Sequence, residues 1–499
     1  MLEQRAEATH GAATETAHAA PSETADSPAA DYRLGLTTQG TELEPTELPV
    51  EGTIPPWLEG ALIRNGPARF EGGDTQVRHW FDGSAMLHKF ALAHGEVRYS
   101  NRFLRTRSHA ALADGRIGYS EFATDPCRSI FKRFAAMFSP QLTDNASVNL
   151  VRLGDDFVAM TETPLPVRFD PATLDTLGVV KYEDSLRAGI TTAHPHLDPR
   201  SGDLVNYVAE LGARSRYTIY RQAPGETGRR RRVASLPVKE PAYMHSFGIT
   251  DRYVVLVEFP LVVNPLRLAG AGRPFIENYR WRPERGARFH VVDSDDGSVR
   301  AAVQAEPFFA FHHVNAFEDG DALVVDLAGY ADPAVIDALY RRSMLDPDSH
   351  LPPVRLRRYR VPLDGSDATF ETIGDETIEL PRIDYRRRNG RRHRYAYGIS
   401  SSGDRMRSFS DQLVKVDADD GATAIWREEG CHPGEPVFVA APGGSAEDEG
   451  VALSVVLDTR SGRSFLLVLD AGSFEELARA EVPQYAPFTF HGQFLSGVE

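Results

Sequence analysis

Histidines in β-like segments are the first residues of this sequence that could do chemistry. Six of the sixteen histidines lie in apolar or strand-edge stretches: His194 and His196 in "TTAHPHLDP", His245 in "AYMHSFGIT", His312 and His313 in "FAFHHVNAF", and His491 in "FTFHGQF". Neutral imidazole binds iron, copper, zinc and nickel. One such histidine is more often a satisfied core residue, whereas several in similar settings favour a shared transition-metal site, provided that the fold brings distant strands together.

The adjacent pair His312 and His313 adds a constraint. Successive side chains of a strand point to opposite faces, so the two imidazoles cannot serve one site equally. We expect one of them to serve the site and the other to face away from it, where it packs or forms a hydrogen bond.

Three glutamates in apolar surroundings are candidate partners of these histidines. They are Glu162 in "VAMTETPLP", Glu379 in "TIELPRIDY" and Glu435 in "HPGEPVFVA". A buried carboxylate must be paired, and a metal-bound histidine usually donates its second ring N–H to a carboxylate. Each glutamate alone is more often an edge or turn residue, but together they are suited to orienting metal ligands.

The elements that would position these residues are mostly strands. Short apolar or alternating runs, separated by Gly, Asp, Pro and Asn, predict strands over most of the chain, and helices are predicted only at 127–138 and 332–345. Five strand–turn–strand units share an aspartate at their turn: Asp170, Asp293, Asp364, Asp417 and Asp470. The sequence separation between the first two aspartates is about twice the other separations, as if one copy of the repeat had diverged. Such a repeat favours a propeller of seven blades over a pair of β-sandwiches.

Composition excludes several classes of protein. The chain has 499 residues, a net charge of −16 and only two cysteines. The negative charge argues against nucleic-acid binding, and we interpret the basic runs at 229–232 and 386–394 as solvated loops. The cysteines imply no disulfide framework and suit a reducing cytoplasm. Neither a signal peptide nor a transmembrane helix is expected. Residues 1–32 are predicted to be a disordered tail, and residues 33–499 a single domain.

Over residues 45–499 the sequence resembles the carotenoid cleavage oxygenase family. The motifs that carry the resemblance are "RNGPARFEGG", "HWFDGSAMLHKF", "TDNASVNL", "TETPLP", "TAHPHLDP", "YMHSFGIT", "FHHVNAFEDGDALVVDL", "ELPRIDY" and "FTFHGQF". The resemblance implies an all-β, seven-bladed propeller, a dome of loops and helices over one end, and a non-haem Fe(II) on the axis. Carried over by motif, the iron ligands would be His194, His245, His312 and His491, their carboxylate partners Glu162, Glu379 and Glu435, and Thr161 would lie beside the open iron position.

The resemblance also implies an activity. In this family Fe(II) activates O₂, which adds across one double bond of a carotenoid or apocarotenoid and leaves two carbonyl fragments. The stretch "DPCRSIFKRFAAMFSPQLTDNASVNL" is most similar to the animal-type β-carotene oxygenases and the retinal isomerohydrolase. A composition rich in Ala, Arg, Asp and Gly is typical of a microbial member, and we therefore rank oxidative cleavage above isomerisation.

Two alternatives remain open at this stage. Stilbenoid-cleaving relatives usually carry a lysine in the segment that here reads "TDNASVN", and its absence weighs against a stilbenoid substrate without excluding one. A different class of function is a non-catalytic propeller that binds an apolar isoprenoid or a partner. No obligate protein partner is expected.

The predicted helix at 127–138 carries an apolar stripe: Ile130, Phe131, Phe134, Met137 and Phe138. These residues share one helical face, flanked by basic side chains, and such a helix can lie in the bilayer interface. The alternative is that the stripe packs on the dome. The segment 261–271 would extend the patch. We therefore expect a cytoplasmic protein with a peripheral membrane contact.

Overall fold

Seven antiparallel sheets in the computed structural model form the blades of a propeller, which confirms the predicted fold class. The structure describes residues 31–126, 142–186, 189–268, 273–402 and 409–498. Residues 1–30 lie outside this part, and the division into a tail and one domain stays a prediction.

Blades 2–6 follow one another along the chain and each begins with its inner strand, whereas blades 1 and 7 contain strands from both ends of the sequence. Blade 1 contains Gly492–Leu495, Gly60–Arg69, Ser84–Ala93, Glu96–Phe103 and Leu43–Glu47; blade 2 contains Asn149–Leu153, Asp156–Met160, Val167–Phe169 and Thr176–Val179; blade 3 contains Ile190–Thr191, His196–Leu197, Leu204–Glu210, Arg216–Gln222 and Arg231–Pro237; blade 4 contains Gly248–Ile249, Tyr253–Glu258, Ala287–Asp293 and Val299–Ala305. Blade 5 contains Phe309–Asp319, Ala322–Tyr330, Arg355–Pro362 and Thr369–Thr377; blade 6 contains Glu379–Arg382, Tyr395–Ser400, Gln412–Asp417 and Thr423–Trp426; blade 7 contains Cys431–Pro433, Val437–Ala440, Gly450–Asp458, Arg463–Asp470, Glu476–Glu481 and Val50–Gly52.

Smaller elements connect the blades. Two short ribbons pair Glu71–Gly72 with Thr75–Gln76 and Leu261–Val262 with Arg280–Trp281. The α-helices of the described residues are Arg107–Ala113, Pro265–Leu268, Ala334–Ala338, Arg341–Met344 and Tyr385–Arg388, and the 3₁₀ helices are Tyr32–Leu36, Trp80–Asp82, Ile276–Asn278 and Pro283–Arg285.

Burial along the strands explains their sequences. The second strand of blade 5, Ala322–Tyr330, is buried throughout because neighbouring blades cover both of its faces, and it reads as the apolar run "ALVVDLAGY". The strand Glu96–Phe103 lies further out in blade 1 and alternates between buried and solvent-facing residues, which gives the pattern "EVRYSNRF". Period-two alternation is therefore clearest in the outer strands.

Two strand pairs between distant parts of the sequence close the ring. Gly492–Leu495 pairs with Gly60–Arg69 in blade 1, and Val50–Gly52 pairs with Glu476–Glu481 in blade 7. Gly492 is required at the first of these contacts, since a Cβ atom there would lie 2.5 Å from the backbone oxygen of Ile63. This close approach also fixes the position of the preceding residue, His491.

The aspartate repeat occurs at equivalent turns. Asp170, Asp293, Asp364, Asp417 and Asp470 each lie between the third and fourth strands of a blade, where Oδ1 accepts the backbone N–H two residues later at 2.8–3.0 Å. This is the Asx turn, a local substitute for a backbone turn. Blade 3 accounts for the double interval, because its corresponding connection, 223–230, contains no aspartate.

One helix prediction is wrong. The helix predicted at 332–345 is two short helices, Ala334–Ala338 and Arg341–Met344, because Tyr340 between them is extended (φ −64°, ψ 137°). Its ring packs edge-on against His79, with centroids 5.0 Å apart. The second predicted helix, at 127–138, lies outside the described residues.

The basic run at 229–232 is not entirely a solvated loop. The side chain of Arg230 is 4% exposed, and its guanidinium donates two hydrogen bonds to Asp184, at 2.8 and 2.9 Å. The same group lies 3.8 Å from the ring centroid of Tyr182. Arg230 therefore ties blade 3 to the segment before it.

Only part of the expected membrane patch lies in the described residues. Ile130, Phe131, Phe134, Met137 and Phe138 lie outside the described residues, so the peripheral contact stays a prediction. The residues at 261–263 do not extend an exposed patch, because all three are buried in the core. Within the described ranges, no helix combines the length and the apolar character needed to cross a membrane.

Candidate metal centre

Four histidines from four blades meet at the propeller axis. His194 lies between the two inner segments of blade 3, His245 precedes the inner strand of blade 4, His312 lies within that of blade 5, and His491 precedes that of blade 1. One nitrogen of each ring lies within 4.8 Å of the others. The structure thus brings together the four predicted ligands, and their binding of a metal stays a prediction.

The spacing of the imidazoles has the dimensions of a metal site. The Nε2 atoms of His194 and His245 are 3.1 Å apart, and those of His312 and His491 are 3.2 Å apart. Two nitrogens bound at right angles to one ion, each about 2.1 Å from it, would be about 3.0 Å apart. The four nitrogens therefore fit around a single ion of the size of a first-row transition metal.

Each predicted glutamate pairs with one histidine through Nδ1. Glu162 Oε1 is 2.7 Å from His245 Nδ1, Glu379 Oε2 is 2.6 Å from His312 Nδ1, and Glu435 Oε1 is 2.7 Å from His491 Nδ1. The carboxylate accepts the Nδ1–H, which leaves the lone pair of Nε2 directed towards the centre. Because three such lone pairs converge, the arrangement calls for a cation between them.

Burial keeps the imidazoles in the form that binds a metal. It lowers the pKa of His491 to about 4 and the pKa of His194 well below its usual range. Metal binding requires neutral imidazole. The rings of His194 and His491 are therefore prepared as ligands at neutral pH.

Glu435 has the most strongly charged surroundings of the three carboxylates. It is fully buried and accepts hydrogen bonds from Arg64 and from the backbone N–H of Gly492, while Arg382 lies 3.8 Å away. Burial raises the pKa of this carboxyl, but Arg382 and Arg64 outweigh it and hold the pKa well below its usual range. Glu435 is therefore ionised and can balance part of the charge of a cation.

Glu162 and Glu379 are held by neutral groups instead. The phenol of Tyr243 donates to Glu162 at 2.8 Å, and the phenol of Tyr330 donates to Glu379 at 3.0 Å. The backbone N–H of Leu380 also donates to Glu379, at 2.5 Å. Leu380 itself takes a left-handed conformation (φ 47°). Such backbone strain is typical of functional sites.

The two other histidines of the sequence motifs face away from the cluster. His313 Nδ1 lies 2.8 Å from the hydroxyl of Ser246, between blades 4 and 5. His196 Nε2 donates to the backbone oxygen of Phe247 at 2.9 Å, and its Nδ1 lies 3.0 Å from the phenol of Tyr385. The expected division of His312 and His313 between two faces is what the structure shows.

Thr161 directly follows the strand Asp156–Met160 and is half-buried. It is not among the described residues that line the large cavity beside the histidines. Its place next to an open metal position therefore stays a prediction.

An apolar cavity of about 800 Å³, including its opening, adjoins the histidines. Its wall contains three of them together with aromatic and aliphatic side chains, among them Trp80, Phe81, Phe311 and Phe490. A mostly apolar wall with a few polar groups is typical of a small-molecule binding site. The histidines thus lie in the wall of a site suited to an apolar molecule.

The hydrogen bond from the Tyr330 phenol to Glu379 allows a test of whether the partners of the glutamates help to retain the metal. Tyr330→Phe removes one hydrogen bond to a charged acceptor, and we expect the variant to lose its metal to a chelator about three- to tenfold faster, because Glu379 then holds His312 less firmly. Tyr359→Phe is the matched control, since its buried hydroxyl has no hydrogen-bond partner within the described ranges. Equal metal loss from the two variants would contradict a role for Tyr330.

Comparisons with known proteins agree with this geometry. A sequence model of the family described as "Retinal pigment epithelial membrane protein" matches residues 36–496. The mitochondrial carotenoid-cleaving dioxygenase of Mustela putorius furo is 35% identical, over 92% of this chain and 96% of that protein. The chain belongs to the carotenoid cleavage oxygenase family.

Further relatives extend the match. The human β,β-carotene 15,15′-dioxygenase is 32% identical, over 92% of this chain and 93% of that protein. Among solved structures, cobalt-substituted Synechocystis apocarotenoid oxygenase superimposes with a TM-score of 0.83 at 27% identity, covering 93% of this chain and 98% of that one. That relative is substituted with cobalt, a transition metal, which accords with the four-histidine cluster of this family member.

Several residues around the centre were not singled out from the sequence. Arg64 could have been, because an arginine inside the apolar run "ALIRNGP" must have a partner if it is buried. Tyr243 and Tyr330 offered no such signal, since aromatic residues at strand edges are ordinary core residues. Their role depends on carboxylates that lie 81 and 49 positions away in the sequence.

Proposed function

We propose that this chain is a non-haem Fe(II) dioxygenase that cleaves a carbon–carbon double bond of a carotenoid or apocarotenoid with O₂. The observation that carries the proposal is the convergence of three carboxylate-paired imidazoles, with a fourth, on the wall of an apolar cavity. Oxygen addition across one double bond gives two carbonyl fragments, one for each oxygen atom. The ligands would be His194, His245, His312 and His491.

The residues of the chain contribute orientation and a dry cavity. When bound, Fe(II) supplies the redox chemistry that makes O₂ reactive towards an alkene. Glu162, Glu379 and Glu435 fix the rings of three histidines and keep the protons on Nδ1. The aromatic wall excludes water and holds the polyene so that one double bond lies at the centre.

Four neutral imidazoles are a donor set that suits Fe(II) but does not select it alone, because imidazole also binds zinc, copper and nickel. We assign iron because four neutral ligands leave coordination positions for O₂, and because the redox reaction requires a metal that can change its oxidation state. The glutamates balance charge without occupying those positions.

The segment that would contact a phenol in a stilbenoid-cleaving relative is used for structure here. Asp144 accepts the backbone N–H groups of Arg107 and Ser108, and Asn145 accepts from Ala85 and donates to Gly83. These polar side chains hold the helix Arg107–Ala113 and the neighbouring strand. The segment therefore offers no free cation to a phenol, and a carotenoid is favoured over a stilbenoid.

Purified protein loaded anaerobically with Fe(II) tests the proposal. We expect about one iron per chain, O₂ consumption that depends on a carotenoid in detergent micelles, and aldehyde or ketone fragments detected by mass spectrometry. Zinc-loaded protein is the control and should yield no fragments. Iron-loaded protein that binds carotenoids without cleaving them would overturn the proposal in favour of a binding propeller, and faster turnover of a stilbene would reassign the substrate.

A further inference from the structure

One wall of the cavity differs from the rest in carrying hydroxyl groups. Thr377, Ser400, Ser401 and Ser410 line it where blades 5 and 6 meet. Most of these hydroxyls are used inside the protein. Ser400 and Thr377 hydrogen-bond each other at 2.9 Å, and Ser410 donates to the backbone oxygen of Pro433 at 2.9 Å.

Ser401 is the exception on this wall. Ser401 is 4% exposed, and its Oγ has no hydrogen-bond partner among the residues that the structure describes. The same holds within those residues for Trp80, another lining residue at 4% exposure, whose indole Nε1 has no partner there. Buried polar atoms are almost always paired, because an unpaired one costs free energy. Two unpaired atoms on one cavity therefore indicate a polar group of the ligand.

The polar wall is rigid and close to the reacting centre. The backbone N–H of Ser401 donates to Thr377 Oγ1 at 3.0 Å, and Gln412 Nε2 donates to Ser400 at 3.0 Å, so the serine segment is held from two sides. Thr377 precedes Glu379 by two residues, which corresponds to roughly 7 Å of extended chain. A ligand group bound here would share the cavity with Glu379 and its partner His312.

Trp80 belongs to the same region of the cavity. Its ring packs edge-on against Phe409, with centroids 5.1 Å apart, and Phe409 directly precedes Ser410. Indole N–H can only donate, whereas a serine hydroxyl can donate or accept. The group that satisfies both atoms must therefore contain an acceptor. An uncharged oxygen suits this wall, since its described residues include no charged side chain beyond the carboxylate paired with His312.

We propose that Ser401 and Trp80 bind an oxygen substituent of the substrate, so that the enzyme prefers a polyene carrying a hydroxyl or carbonyl group near one end over a hydrocarbon carotene. This inference rests on the proposed function and specifies its substrate class. The bound oxygen would fix the polyene along the cavity and thereby determine which double bond reaches the histidines.

Turnover of matched substrates tests the subsite. We compare kcat/KM for β-carotene, for its dihydroxylated counterpart zeaxanthin and for a carbonyl-terminated apocarotenal, all in the same detergent. For one neutral hydrogen bond we expect a preference of about three- to tenfold for an oxygenated substrate over β-carotene. If kcat/KM rises for both the hydroxylated and the carbonyl substrate, Ser401 and Trp80 donate hydrogen bonds to the substrate oxygen. If kcat/KM rises for the hydroxylated substrate alone, Ser401 Oγ accepts a hydrogen bond from the substrate hydroxyl. Both patterns support the subsite.

Ser401→Ala should reduce this preference to near unity, and Trp80→Phe should reduce it in part. Ser410→Ala is the matched control, because it makes the same change on the same wall but removes a hydroxyl that already bonds to Pro433; its preference should equal that of the unaltered enzyme. Iron content and circular dichroism establish that each variant is folded.

The outcomes separate this inference from the proposed function. If all substrates are cleaved but the unaltered enzyme shows no preference, or if Ser401→Ala leaves the preference unchanged, the subsite is refuted while the dioxygenase function stands. If no polyene is cleaved by the iron-loaded enzyme, both fail.

Discussion

His312→Ala will lower metal affinity by more than about a hundredfold and abolish cleavage, because losing an outer partner of a metal ligand already lowers affinity about 10- to 100-fold, and losing the ligand itself must lower it further. The variant also leaves Glu379 without its imidazole partner at 2.6 Å. Metal content after dialysis against a weak chelator, measured by plasma mass spectrometry, gives the result directly.

His313→Ala is the matched control for this change. It is the same substitution at the neighbouring position, and His313 is half-buried in the same strand, but its Nδ1 bonds to Ser246 rather than to a glutamate. We expect the control to bind metal normally and to lose about 1–3 kcal/mol of unfolding free energy, as destabilising single substitutions commonly do. Metal loss from both variants to the same degree would contradict the assignment of His312.

The blade repeat could be read from the sequence because it depends on local chemistry. An aspartate at the turn accepts a backbone N–H two residues ahead, and this happens within three residues of sequence wherever it occurs, as at Asp293 and Asp470. Blade 3 reaches a similar turn by another local solution, and its copy was therefore missing from the repeat. The strand pairs that close the ring could not be predicted from local sequence, because only the complete propeller brings Arg64 and Gly492 together.

The histidines and glutamates could be predicted by type but not by pairing. Strand alternation separated His312 from His313, and the family resemblance selected His312. Which carboxylate holds which ring depends on blade geometry: Glu162 contacts His245 of blade 4, although His194 of blade 3 is nearer in sequence. Tyr340 shows that a local pattern can also mislead. The sequence around it has a helical pattern, but the helix is interrupted where the ring of Tyr340 contacts His79.

The three carboxylates will respond differently to the loss of their charge, with Glu435→Gln the most damaging. Arg64 is fully buried and forms its ion pair with Glu435. Removing one partner of a buried ion pair costs about 3–5 kcal/mol, because the other charge stays buried. We therefore expect Glu435→Gln to lower both the unfolding free energy, by about this amount, and the metal affinity, by about 10- to 100-fold.

Glu379→Gln is the comparison that isolates the ion pair. Apart from His312, the groups on Glu379 are the phenol of Tyr330 and a backbone N–H, both neutral, and no arginine is left unpaired. This variant should lose metal affinity to a similar extent but keep most of its stability.

A double variant separates the two functions of Glu435. Arg64→Met combined with Glu435→Gln removes both charges, and replacing a buried ion pair by neutral groups is often close to neutral for stability. We expect urea unfolding to show that most of the lost stability returns, while metal retention stays low because His491 still lacks its carboxylate. If stability and metal binding recover together, or if Glu435→Gln is no less stable than Glu379→Gln, then Arg64 does not determine the difference between the two carboxylates.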